Sequence, residues 1–166
     1  MKLTNAAKAK IAELNAKYVG KKYMNVYYDF RAKKDKLVVY KKTITMIKPI
    51  ENENEFDHGR YLAIFTAETR GPDQYRCLGF RGRDKWLDAA EKLEKELAMW
   101  EGAAFDEPVY RHYDDRDAGE VEEVEFRDKI ITDDEEAVKE KIMAVAKKVA
   151  AKKIAELKKE MARYEI

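Results

Sequence analysis

The sequence predicts an α+β fold: an antiparallel sheet of about four strands packed by one or two helices, plus a long C-terminal amphipathic helix. Three observations carry this. Helical spacing of apolar residues brackets a region whose hydrophobic period is two. The breaks between the period-two segments are short and polar, as antiparallel neighbours require. From Thr132 to Tyr164 one apolar stripe runs without interruption. The expected organisation is an α+β core over 1–102, an acidic connector with one or two short strands over 103–131, and the long helix over 132–166.

Thr4 or Asn5 can cap a first helix whose stripe is Ala7, Ile11, Leu14 and Tyr18, with Gly20 as its stop. From Tyr23 to Phe30, Met24, Val26, Tyr28 and Phe30 alternate with Tyr23, Asn25, Tyr27 and Asp29, the pattern of a half-buried strand. After the polar break Arg31–Lys36, β-branched residues resume from Leu37 to Ile47, so the pair reads as a hairpin. Alternation slips near Lys41 and Lys42, which predicts a bulge there. A third strand is expected from Tyr61 to Thr69 and a fourth from Tyr75 to Arg81, joined by the turn chemistry of Gly71-Pro72-Asp73.

Asp84 opens a second helix with the wide stripe Trp86, Leu87, Ala90, Leu93, Leu97 and Trp100, ended by Gly102. Pro108–Tyr113 and Val121–Ile131 are candidate strands, but their alternation is poor. Thr132-Asp-Asp-Glu135 has capping-box spacing before the last helix. That helix carries Val138, Ile142, Val145, Val149, Ile154, Leu157 and Met161 at a mean spacing of about 3.8 residues, too wide for a heptad zipper. About 30 residues of helix span ~45 Å, so part of it must project or lie on another subunit.

A net charge of +1 conceals strong segregation. Residues 1–48 carry 13 Lys/Arg against 3 Asp/Glu, whereas residues 102–136 carry 4 against 14. Such asymmetry points to a polyanion partner, to internal docking of the opposite segments, or to an oligomer contact. No apolar run reaches the ~20 residues of a membrane span, which predicts a soluble, cytoplasmic protein with no membrane partner.

Several chemistries are excluded or poorly supplied. Serine is absent, so serine-nucleophile catalysis is ruled out, and Cys77 is the only cysteine, so no internal disulfide can form. The seven glycines are scattered singly, without a phosphate-cradling loop. The two histidines, His58 and His112, lie in polar surroundings. Asp114-Asp-Arg-Asp117-Ala-Gly119-Glu120 lacks the fifth-position ligand of a calcium loop and has its glycine one place early. The expectation is therefore a non-enzymatic chain with no cofactor and no metal site.

The best candidate surface is the basic hairpin. Arg31, Lys33, Lys34, Lys36, Lys41 and Lys42 can neutralise phosphates, and Tyr27 and Tyr40 can stack on bases or sugars. The leading expectation is a binding protein acting on nucleic-acid transactions through this hairpin. The alternative is a phage-type inhibitor, of the anti-CRISPR or anti-defence kind, that blocks a nucleic-acid-processing enzyme. In that case Glu53, Glu55, Asp114, Asp115 and Asp117 would enter a basic channel on the target. A third is an assembly subunit that forms a homodimer, or binds a partner, through Ile142, Val145, Val149, Ile154, Leu157 and Met161.

The order helix, strands, helix over residues 4–101 looks like a double-stranded RNA-binding domain in outline, although Arg81-Gly-Arg-Asp-Lys-Trp86 keeps only part of that family's lysine-rich charge. Tyr75-Arg-Cys-Leu-Gly-Phe80 followed by an alanine-bearing helix is similar to the end of AP2-type DNA-binding sheets, without their sheet arginines in clear register. Both resemblances imply nucleic-acid contact.

Overall fold

The computed structural model describes residues 3–49, 60–66, 73–76 and 84–165. In chain order these form α1 (Asn5–Tyr18), β1 (Lys22–Asp29), β2 (Leu37–Pro49), β3 (Arg60–Thr66), β4 (Asp73–Arg76), α2 (Lys85–Gly102), a 3-10 turn (Ala103–Phe105), β5 (Val109–Asp115), β6 (Gly119–Glu125) and α3 (Glu135–Tyr164). The class is α+β, with an antiparallel sheet and a long C-terminal helix. The sheet order is β4-β3-β2-β1-β6-β5. The 103–131 segment thus supplies two strands, which extend the sheet beyond β1.

Each helix begins where a side chain can serve the free amides of its first turn. Thr4 accepts from the Ala7 amide at 3.1 Å and Asp84 from the Leu87 amide at 3.2 Å. The last helix starts two residues later than its capping-box spacing implies. Asp134 is the cap, accepting from the Ala137 amide, while Thr132 accepts from Asp134. Gly20 follows α1 with φ +91°, a left-handed conformation that a side chain would strain.

Neighbouring residues on β1 belong to different cores because strand side chains alternate. Tyr23 packs with Ile11, Leu14 and Tyr18 of α1 and with Leu93, Leu97 and Trp100 of α2. Met24 and Val26 pack with Val138, Ile142 and Ala146 of α3. The two helical layers therefore lie on opposite faces of the sheet. They are also offset: α1 and α2 lie over β2, β3 and β4, whereas α3 lies over β1, β5 and β6. Among the described residues, this offset leaves the β1–β6–β5 half beyond Tyr23 without a helix on the α1/α2 side.

The bulge of β2 sits between Ile44 and Met46, not at Lys41 and Lys42, which pair with Met24 and Tyr23 in unbroken register. The slip places both Ile44 and Ile47 in the α1/α2 core, three residues apart on a strand. It also faces the Ile47 backbone toward α1. The Asn15 carboxamide donates to the Ile47 carbonyl and accepts from the Ile47 amide, both at 2.9 Å.

A second irregularity lies between β1 and β6. Their register pairs Tyr27 with Glu125, and the next contact is the isolated bridge Met24–Ile130. Two β1 residues, Asn25 and Val26, are spanned by four, Phe126 to Lys129. The chain bows out there and returns, with the Ile130 amide donating to Met24 at 2.9 Å and the Ile131 amide donating to Trp100 at 2.9 Å.

The apolar stripe of α3 rotates along its length. Val138, Ile142 and Ala146 are buried, and Val145 and Val149 pack against their cluster. Continued at 100° per residue, the sheet-facing line reaches Lys153, Glu156 and Glu160. Ile154, Leu157, Met161 and Tyr164 fall on a different side, and Leu157 is 58% exposed. Among the described residues, no helix is long and apolar enough to cross a membrane.

Candidate binding surface

The expected basic surface is divided by the fold. Arg31 turns back onto Asp29, with Nε 3.1 Å from the carboxylate, and donates to the Glu120 carbonyl at 2.8 Å. That pair holds the Asp29 carboxyl below its ordinary range, chiefly through the hydrogen bond from Arg31. Lys41 points to the α3 side of the sheet and pairs with Glu135. Lys42 lies on the opposite side, in register with Tyr23. Lys33, Lys34 and Lys36 at the hairpin tip are exposed, and no ion pair joins them to any described residue. Of the six expected phosphate contacts, Arg31 and Lys41 at least are thus committed to described carboxylates of this chain.

The acidic side is divided as well. Glu53 and Glu55 lie outside the described residues, as do His58 and Cys77. Asp115 accepts from the Asp117 and Ala118 amides, which lowers its carboxyl and closes the β5–β6 turn. Asp114 and Asp117 are exposed beside it, and His112 meets Glu120 across the hairpin. Of the six apolar positions expected to meet a partner, Ile142 is wholly buried and serves the core, as do the half-buried Val145 and Val149. Ile154, Leu157 and Met161 remain open.

The surface that the sequence does not announce is the uncovered half-sheet. Register places Asn25 beside Tyr40, Tyr27 beside Val38 and Glu125, and Arg111 beside Glu123. All share the side of the sheet on which Tyr23 points, because paired residues face the same way. Tyr27 and Tyr40 lie with ring centroids 6.2 Å apart and planes tilted 30°. Tyr40 is 58% exposed and Tyr113 44% exposed. Arg111 meets Glu125 at 2.7 Å, and the Tyr113 hydroxyl donates to Glu123 at 3.4 Å. Burial pushes the Glu125 carboxyl up, with a further push from the Glu123 charge and an opposing pull from Arg111. The surface is thus a row of tyrosines set among carboxylates, with one arginine. Alternation in the sequence gives Tyr27 and Tyr40, but only the joining of β6 to β1 brings up the rest.

Tyr27 is pushed up to about 12, first by burial and then by its hydrogen bond with Tyr40. Folding favours its neutral form, so its contribution to stability is fully present below the ordinary value of 10.0 and is lost as the pH rises to about 12. Ring-labelled tyrosine NMR should show one hydroxyl ionising well above the others. Tyr27→Phe should remove that component, and Tyr40→Phe should lower it. A spectrum in which all tyrosines titrate together near the ordinary value would exclude the packed pair.

No protein-family model, curated protein or solved structure matches this chain.

Proposed function

We propose that this chain is a non-enzymatic binding protein whose uncovered half-sheet docks a basic surface of a protein partner, of the kind that nucleic-acid-processing enzymes present. One observation carries the reading. Among the described residues the helical layers cover opposite halves of the sheet, and the half that no described helix covers on the α1/α2 side holds Tyr27, Tyr40 and Tyr113 among Glu123, Glu125 and Arg111. Aromatic residues and arginine are the groups that anchor protein interfaces, because they bury large area at little entropic cost. The carboxylates set the sign of the partner. A polyanion crossing this surface would meet Glu123 and Glu125, whereas a lysine- or arginine-bearing surface would be steered toward them. Blocking a nucleic-acid channel is the activity that fits such a surface best.

A nucleic-acid reading is favoured by a separate observation, the exposed lysines Lys33, Lys34 and Lys36 at the hairpin tip, which no ion pair joins to another described residue. It ranks second because Arg31 and Lys41 are occupied within the chain. Self-assembly through the distal part of α3 ranks third. In a parallel pair with Ile154 and Met161 at the a positions, Lys153 would face Lys158 and Glu160 would face Glu165. Like charges oppose that pairing.

The test is a titration of the protein with two probes at low salt, protamine and a single-stranded oligonucleotide. Protamine should bind, and Tyr40→Ala with Tyr113→Ala should weaken binding by about tenfold, as loss of an aromatic anchor does. Oligonucleotide binding that is lost on Lys33/Lys34/Lys36→Ala, with no protamine effect at the tyrosines, would reverse the order of the two readings.

A further inference from the structure

Where β6 bows away from β1, a cavity of about 400 Å³ opens between the bulge and the last turns of α2. Asn25 and Glu125 form its sheet side, residues 126–129 its outer wall, and Glu96, Met99 and Trp100 its helical side. Bulges re-aim side chains and interrupt pairing, and they recur beside binding sites. Here the two extra residues separate the strands just where α2 ends.

The cavity's chemistry is specific. Oε2 of Glu96 is buried and finds no hydrogen-bond partner among the described residues. Lys129 does not satisfy it, because its Nζ is drawn over the rings of Tyr23 and Trp100, 5.0 Å from each centroid. Burial raises the Glu96 carboxyl, Lys92 and Lys129 oppose the rise, and Asp128 adds to it. Among the described residues of the lining, three carboxylates (Glu96, Glu125, Asp128) face two cations (Arg127, Lys129), an excess of one negative charge. Lys92 also acts on Glu96 from outside the lining, and Arg111 and Glu123 adjoin Glu125 on the sheet.

We infer that this cavity receives one guanidinium group, the arginine side chain of the partner docked on the uncovered half-sheet. The inference rests on the docking reading above and gives it an anchor. A guanidinium supplies hydrogen-bond donors in a planar fork that matches carboxylates. The unbonded oxygen of Glu96 and the carboxylate of Glu125 are the acceptors, Trp100, whose ring Lys129 already caps, closes the helical side, and the single positive charge balances the described lining. Both Asn25 and Glu125 also belong to the open sheet surface, so a side chain can enter from a partner lying there.

The experiment uses the full chain and three small probes: N-acetyl-arginine methylamide, its lysine counterpart and its neutral citrulline counterpart. Binding is read from the Trp100 indole and Met99 methyl NMR signals. The arginine probe should shift both, the lysine probe less, and the citrulline probe not at all. Glu96→Gln keeps the shape and should weaken arginine binding by about tenfold. Equal shifts from citrulline, or arginine binding indifferent to Glu96→Gln in a protein with an otherwise unchanged spectrum, would overturn the inference. The two readings fail separately. If protamine binds wild-type and Glu96→Gln protein alike, the arginine anchor falls while docking on the half-sheet stands. If the arginine probe binds as expected but protamine does not bind at all, the docking reading falls and the cavity's preference for a guanidinium stands.

Discussion

Ile142→Asp should unfold the protein or release α3 from the sheet, whereas Leu157→Asp should be nearly silent. Both residues belong to the one stripe visible in the sequence, yet they have different surroundings. Ile142 is wholly buried among Met24, Val26, Val124 and Val138, and a carboxylate there would have no water and no cation. A cost of roughly 4–5 kcal/mol is expected, a large share of the ~5–15 kcal/mol that holds a domain together. Leu157 is exposed on the projecting end of α3, so its replacement should change stability by less than about 0.5 kcal/mol. Urea unfolding of the two variants makes the comparison. Similar destabilisation by both would mean that the distal helix is packed against something in solution.

Asn15→Leu should be the most damaging change of a polar residue. The Asn15 carboxamide pairs with both backbone groups of Ile47 at the β2 bulge, and its Nδ2 also donates to the Ile11 carbonyl at 2.9 Å. Leucine fills the space and leaves the Ile47 amide and carbonyl without their partner. Each unsatisfied group costs about 1–3 kcal/mol, so a total loss of roughly 2–4 kcal/mol is expected. Hydrogen exchange at the Ile47 amide should accelerate accordingly. An exchange rate left unchanged by the substitution would mean that β2 holds its bulge without α1.

Local features of this fold were legible because they depend on local physics. The stripe Ile11, Leu14, Tyr18 and the stripe Leu93, Leu97, Trp100 both reach the core, as helical spacing requires. Alternation from Tyr23 to Tyr28 sorts its residues between two cores on opposite faces. What periodicity does not carry is the partner of each strand. That β6 joins β1, bringing an acidic hairpin beside a basic one, is a long-range pairing with no local mark. Arg31 and Lys41, read as free cations, find their carboxylate partners elsewhere, at the end of β1 (Asp29) and the start of α3 (Glu135). The poor alternation of Val121–Ile131 has its cause in the pairing of β6 with β1. Val121 and Val124 lie on β6, whereas Phe126 to Lys129 form the excursion before Ile130 returns to Met24. The continuous stripe of α3 concealed a rotation, so Ile142 and Leu157 looked equivalent.

The claim on which the functional account turns is that the uncovered half of the sheet is where this protein holds its partner. Amide and tyrosine-ring NMR signals recorded during addition of protamine test it most directly. The account predicts perturbations at Asn25, Tyr27, Tyr40, Arg111 and Tyr113, with the α1/α2 core and the distal α3 stripe unaffected. Perturbations confined to Lys33–Lys36 or to Ile154–Tyr164, with the tyrosines silent, would contradict it.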